Sequence, residues 1–374
     1  MARSSGAGLR WAVVGLVVAG LVAAPLVVRA LPATDAEVSA ADLRTAVLAA
    51  DDVAFSGSAE SAGGLALPVT DQLPDVADLF SDRTTMRVWW RGATESRVDV
   101  VTAAGETGYH RDPSGLWTWE YETATATRAE PGPSGEAGPF ALPGAPDLLP
   151  TTLGRRLVSE ATEDELSRIG ARRVAGRSAL GLRITPAEDA GSVARADVWV
   201  DAASGLPLQV QVVGDTGGTT AVDSRFLDLT LATPAADVIA FSPPPRARLR
   251  TATDADIARE AAERLRPAAL PDSLAGLPRR TGDGVPSGVG LYGRGVTLLA
   301  VAPVPRRLAG ALERTLAASP DAVDDAAGLR VAAGPVGLMV VRQPDSGAYL
   351  LTGTVTLDAL ATAAGELPDL DGDR

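Results

Sequence analysis

Period-two alternation of apolar and polar residues dominates the chain between Val53 and Leu231. Met86, Val88 and Trp90 alternate with Arg87, Trp89 and Arg91, and Trp117, Trp119 and Tyr121 alternate with Thr118, Glu120 and Glu122. Leu180, Leu182 and Ile184 alternate with Gly181 and Arg183; Val198 and Val200 flank Trp199; Leu208, Val210 and Val212 flank Gln209 and Gln211. This pattern predicts strands with one buried face. Strands are expected near Val53–Glu60, Thr84–Arg91, Ser96–Val101, Thr107–Arg111, Leu116–Glu122 and Ala221–Leu231, with an antiparallel meander over Ala171–Val213. Asp201–Pro207 and Gly214–Gly218 read as its hairpin turns.

Helical patterns punctuate these strands. Thr34-x-x-Glu37 has the form of a capping box opening a helix to about Ala50, with Val38, Leu43, Val47 and Leu48 on one face. Further helical pieces are expected near Leu148–Val158 and Glu163–Ile169, the second behind a Thr162-x-x-Glu165 box. Gly63–Asp82 and the Pro/Gly-rich Glu130–Pro150 read as loops, and the apolar run Leu73–Phe80 argues that the first is not a disordered linker. Phe241-Ser-Pro-Pro-Pro245 closes this region and Pro243–Arg250 reads as a linker. Beyond it, a helix over Asp254–Arg266 stops at Pro267. Strands near Val289–Tyr292 and Val296–Val301, a helix over Arg306–Ala318, strands at Leu329–Ala333, Gly337–Arg342 and Ala348–Val355, and a terminal helix after Thr356 complete a small α+β unit. The expected organisation is a domain over 35–245 and a second over 246–374.

The N-terminus carries a different signal. Arg3 and Arg10 precede an uncharged stretch, Trp11–Val28, closed by Arg29. Residues 1–30 read as a signal anchor, or as a cleaved signal with Val28-Arg29-Ala30 as its small-x-small site. As an anchor it makes a single-pass protein of the cell membrane, N-terminus in the cytoplasm and both domains extracytoplasmic; if cleaved, the product is secreted.

Composition narrows the chemistry. All 34 basic residues are Arg, and the formal net charge is −13. So acidic a chain lacks the basic footprint of a nucleic-acid binder and is repelled by anionic membrane surfaces, leaving the N-terminal segment as the membrane contact. There is no Cys, which excludes disulfides, thiolate metal sites, Cys nucleophiles and Cys-linked lipid anchors. His110 is the only His, so neither a His-based triad nor a His metal site can be assembled; it is expected at the surface near a strand end. Asp369-Leu-Asp371-Gly-Asp373 has the opening of a calcium loop without positions seven to twelve, and reads as an acidic tail. No G-x-S-x-G elbow, S-x-x-K set or P-loop is present, so no catalytic residue and no cofactor are assigned.

The stretch Arg173–Leu208 carries a resemblance. Val174-Ala-Gly-Arg177-Ser-Ala179, then Leu182-Arg-Ile184-x-Pro186, then Val198-Trp-Val-Asp201-x-x-Ser204-Gly-Leu-Pro-Leu208 resembles the LolA/LolB superfamily, most closely its MucB/RseB branch. The closing run Tyr349, Leu351, Gly353, Val355, Leu360 is similar to the small C-terminal domain of that branch. The resemblance implies an α+β protein: a LolA-like curved antiparallel half-barrel with helices on its concave side, plus a small C-terminal α+β domain. It implies a binding protein rather than an enzyme, whose concave face grips lipid or an acylated ligand, and in this branch a transmembrane anti-sigma factor released when ligand binds. Many exported lipid binders of the superfamily are lipoproteins, which a Cys-free chain cannot be.

Five of the six Trp residues fall within the first domain, and none follows Trp199. On strand parity, Met86, Val88, Trp90, Trp117, Trp119, Tyr121, Leu182 and Ile184 are the candidate lining of a ligand cavity; the competing reading is core and sheet-surface packing. Arg172, Arg173, Arg177 and Arg183 form a basic cluster, read either as solvated strand edges or as a phosphate or carboxylate site. Three readings follow: a regulator docked on an anti-sigma factor in envelope stress, a tethered carrier that hands lipid or lipoprotein to a membrane transporter, or, in another class, a structural or interaction module.

Overall fold

The computed structural model describes residues 33–63, 83–102, 105–113, 115–129, 145–215, 217–218, 220–252, 269–280, 288–343 and 347–369. The N-terminal apolar segment, the run Leu73–Phe80, most of the Pro/Gly-rich excursion, the expected helix Asp254–Arg266 and the end of the acidic tail lie outside the described residues. Among the described residues no helix is long and apolar enough to cross a membrane.

Helix α1 (Ala40–Ala49) begins at Ser39, whose Oγ accepts the Asp42 N–H at 3.0 Å, rather than at the Thr34 box. Two meanders follow. The first contains β1 (Phe55–Gly63), β2 (Arg83–Gly92), β3 (Glu95–Thr102), β4 (Gly105–Asp112), β5 (Gly115–Glu120) and β6 (Thr125–Ala129). Helix α2 (Pro150–Glu160) then leads into β7 (Leu166–Val174), β8 (Arg177–Ile184), β9 (Val193–Asp201), β10 (Pro207–Gly214) and β11 (Thr220–Thr230). Antiparallel pairing of β1 with β11 fuses both into one sheet, order β12-β6-β5-β4-β3-β2-β1-β11-β10-β9-β8-β7. After the short helix α3 (Ala236–Ile239), strand β12 (Arg248–Ala252) adds to β6 in parallel, so the stretch read as a linker ends as a sheet edge. Residues of β7 come within 8 Å of β11 although three strands separate them, where a flat sheet would hold them about 19 Å apart. The expected large, curved, mostly antiparallel sheet with few helices is therefore present.

One expected helix is a strand. The Thr162–Glu165 capping box forms, but it closes a single 3-10 turn, Glu163–Glu165. From Leu166 the chain pairs with β8, beginning at Leu166↔Ile184, and Gly170 at φ +83° sits within the bulge of this edge strand. Ladder bonds to an already formed neighbour outweigh a short apolar i, i+3 pattern.

The second sheet follows the ribbon β13–β14 (Ser273–Leu274, Leu277–Pro278). It contains β15 (Gly290–Arg294), β16 (Thr297–Val304), β17 (Val323–Asp325), β18 (Gly328–Ala333), β19 (Val336–Gln343) and β20 (Gly347–Gly353), in the order β15-β16-β20-β19-β18-β17. Helix α4 (Arg306–Ala317) packs Leu312 and Leu316 against Leu338, Val340 and Ala348. Helix α5 (Leu357–Glu366) packs Leu360 and Ala363 against Met339, Tyr349 and Leu351, on the alternate residues and hence the other face.

The sheets meet through a polar junction. Glu165, 5% exposed, accepts both Arg294 terminal nitrogens at 2.8 and 3.1 Å and the N–H groups of Thr162 and Ala187 at 2.9 and 3.0 Å. Burial alone would raise its pKa; the Arg294 guanidinium and these N–H groups outweigh that and hold it at about 2. A carboxylate depressed in the folded state contributes stability above about pH 4.5, and this is lost as pH falls towards 2. Glu165→Gln keeps the capping box and removes the charge. Chemical denaturation should show it about 3 kcal/mol less stable at pH 7, with the gap to the parent closing between pH 4.5 and 2.

Candidate ligand site beneath the helices

Cross-strand register assigns every candidate residue to a face. Leu182 pairs with Val198, Val198 with Val210, Val210 with Ser224, Ser224 with Ser61 and Ser61 with Thr84, which shares its side of β2 with Met86, Val88 and Trp90. Met86, Val88, Trp90, Leu182 and Ile184 therefore occupy one face. Trp117 pairs with His110, His110 with Arg97 and Arg97 with Trp89, while Trp119 lies across from Gly108, Asp99 and Arg87. Trp117 and Trp119 thus lie on the opposite face, and Tyr121 lies past the end of β5, 44% exposed. The structure brings five of the eight residues together and separates the other three from them.

The first face is roofed. Leu43 and Val47 of α1 and Val158 of α2 pack with Leu182, Ile184, Val198 and Val210, while Leu148 and Leu149 pack with Met86, Val88 and Phe226. Gly154 lets α2 approach β10 closely: a Cβ there would stand 2.7 Å from Pro207 Cβ. Met86, Val88 and Leu182 are fully buried. Between the helices and the sheet lies a cavity of about 20 Å³, lined by Val47, Phe55, Trp90, Thr151, Arg155 and Leu206 among others. That volume holds one water molecule, whereas pockets for lipid-sized ligands need hundreds of Å³. Its rim is polar: Arg155 pairs with Asp51 at 2.8 Å, and Trp90 Nε1 donates to the Asp51 carbonyl at 3.1 Å. With α1 and α2 in these positions the cavity has no room for a lipid-sized ligand.

The opposite face is covered by the chain itself. Arg91, Arg97 and His110 donate to the carbonyls of Pro234, Val238 and Ile239 at 2.6, 3.2 and 3.0 Å. They hold Phe241 against His110, Trp117 and Trp119, at ring-centroid distances of 4.6, 5.6 and 6.0 Å. His110 is thus buried at 4% exposure, not a surface residue as expected. The closing Phe241 was visible in the sequence; its docking onto the Trp pair had no local signal.

The basic cluster is committed internally. Arg177 makes a two-point pair with Asp201 at 2.8 and 2.9 Å, and Arg183 one with Asp197 at 2.7 and 2.8 Å. Arg173 donates to the Gly176 carbonyl at 3.0 Å. Arg172 stacks 3.8 Å from the Trp199 ring centroid, and burial lowers its pKa to about 10. Gly181 makes room for that Trp: a Cβ there would stand 2.9 Å from Trp199 and 2.5 Å from Ile169.

Residues 144–244 match the family model of the MucB/RseB N-terminal domain, so the resemblance to the MucB/RseB branch is borne out for this segment. Among solved structures, the MucA/MucB complex of Pseudomonas aeruginosa is similar at 19% identity over 89% of this chain and 99% of that one, with a TM-score of 0.49. A crystal structure of MucB with MucA(peri) is similar at 18% identity over 89% and 99%, TM-score 0.47. A LolA superfamily protein from Nitrosomonas europaea is similar at 11% identity over 55% and 98%, TM-score 0.25. No curated protein matches the chain.

Two outcomes follow from the covered Trp face. Phe241→Ala should cost about 2 kcal/mol, less than for a fully buried Phe, and shift Trp emission to the red as Trp117 and Trp119 gain water. An unchanged denaturation midpoint and spectrum would show that Phe241 does not cover them. Burial, aided by nearby Arg97, lowers the His110 pKa. The folded state then binds fewer protons than the unfolded chain, so stability falls as pH drops below about 6.5. His110→Gln should remove that part of the slope in pH-dependent denaturation.

Proposed function

We propose that this chain is an extracytoplasmic binding protein whose first sheet takes the acyl part of a lipid or lipoprotein beneath α1 and α2. In this reading it regulates an envelope-stress pathway by docking on the extracytoplasmic part of a transmembrane anti-sigma factor. The supporting observation is the match of residues 144–244 to the MucB/RseB N-terminal domain, a span that holds α2, β7 to β11 and the closing Phe241. The geometry is compatible: five apolar candidate residues share the face roofed by two short helices. The two sheets act as two domains, the first sensing the ligand and the Trp-free second supplying the protein-docking surface. The work is binding, so ligand acts only through its differential affinity for free and docked forms.

The two faces separate the ligand-site variants. With cis-parinaric acid as a fluorescent probe, Trp90→Ala should weaken binding about tenfold, about 1.4 kcal/mol, and Trp117→Ala should leave it unchanged. Equal loss in both variants would place the ligand elsewhere. Affinity capture of the tagged full chain from its own membranes should retain an anti-sigma factor; retention of a permease instead would favour the carrier.

A further inference from the structure

Helix α2 is gripped at its two ends by different parts of the molecule. Its N-terminal half lies over β10 and lines the small cavity through Thr151, Thr152 and Arg155. Its last residue, Glu160, is held from the other half of the molecule: the carboxylate accepts the Gly295 N–H of the second sheet at 2.8 Å and the guanidinium of Arg280, just after the β13–β14 ribbon, at 3.0 Å. Gly295 belongs to the β15–β16 turn and has φ +57°, a left-handed conformation natural to glycine. The preceding residue, Arg294, turns its whole guanidinium to the first sheet, Nη1 and Nη2 to Glu165 and Nε to Glu188 at 2.8 Å. Beside it, the loop between β8 and β9 is stitched to the end of β20: Ser192 N–H donates to Thr354 O at 3.2 Å and Thr356 N–H to Ala190 O at 2.9 Å. The turn therefore clasps the end of α2 and the loop that follows β8.

We propose that the β15–β16 turn is a latch that couples occupancy of the space beneath α2 to the placement of the second sheet. The inference rests on the reading that an acyl chain binds beneath α2. The cavity of about 20 Å³ has no room for such a chain, so binding displaces the helix. Displacement draws Glu160 away from Gly295 and Arg280 and loads the Arg294–Glu165 pair five residues further on. Coupling is reciprocal: a partner that draws the second sheet away loosens the helix and eases ligand entry. If α2 instead swings about a fixed Glu160, the latch stays shut and no coupling arises.

The absence of Cys makes the test direct. Spin labels at Arg156→Cys on α2 and Arg307→Cys on α4, both exposed positions, report the distance between helix and second sheet by pulsed electron resonance on the full chain. Saturating cis-parinaric acid should shift or broaden a narrow distance distribution. Arg294→Gln and Arg280→Gln should broaden it without ligand and tighten probe binding about fivefold or more. Arg280→Gln keeps the test open if Arg294→Gln fails to fold, since Glu160 is partly exposed whereas Glu165 is buried. Probe affinities within about twofold of the parent in a folded variant, or a distance that ligand leaves unchanged, would overturn the coupling while leaving the ligand site intact. No probe binding by parent or variants would remove the ligand site itself, and the coupling with it.

Discussion

A sheet of twelve strands has two faces, and here both carry large apolar side chains that water must not reach. Everything else in the first half of the chain answers that constraint. One face is closed by α1, α2 and the turn before α2, which together bury Met86, Val88, Leu182 and Ile184. The other is closed over β3 to β5 by the segment from Pro234 to Phe241, pinned through Arg91, Arg97 and His110. Each cover is short: α1 has 10 residues, α2 has 11 and α3 only 4. Isolated helices of this length are marginal in water, so their stability comes from the sheet they cover. A cover held mainly by apolar contact on one side and a few polar bonds at its ends can move without unfolding the sheet beneath it.

The two covers differ in how they are attached. The Pro234–Phe241 segment is fixed by backbone carbonyls receiving charged or aromatic donors, and its Phe241 sits among three rings. Helix α2 is fixed at its far end by one ion pair, Arg280–Glu160, by the Gly295 N–H of the second sheet, and by Arg44 of α1, which donates to the Val158 and Ser159 carbonyls. On the proposed reading, acyl-ligand affinity is the difference between chain burial, about 0.8 kcal/mol for each CH₂, and the cost of moving the helix that covers the small cavity. On that reading longer chains gain more than small apolar molecules, without a specific contact to the ligand.

The strand pattern was largely legible because period-two alternation survives any global geometry: β2, β3, β5, β8 and β11 fall within a few residues of expectation. Which face was which was not legible. Parity within β5 groups Trp117 with Trp119, but only the register through β4 and β3 to β2 reveals that they oppose Met86 and Val88. In a sheet apolar on both faces, hydrophobicity carries no sign that tells them apart. The lone His misled for a related reason: what buries His110 is Phe241, more than a hundred residues away. Glu163–Ile169 misled because its capping box is genuine yet serves the junction, where Glu165 also binds Ala187 and Arg294.

The Arg-only basic composition has a structural use. Several carboxylates here are nearly withdrawn from water, with Asp99 fully buried, Asp201 at 3% and Glu165 at 5% exposure. A buried carboxylate is tolerable only when its charge and lone pairs are both satisfied, and losing the partner of such a pair costs about 3–5 kcal/mol. The planar guanidinium presents two parallel N–H groups to one carboxylate, which a lysine ammonium cannot. Arg97–Asp99, Arg177–Asp201 and Arg294–Glu165 all use that fork. The first ties residues two apart on one strand, the second neighbouring strands, and the third the two sheets. The same device thus operates at three scales, within a strand, between strands and between the two sheets.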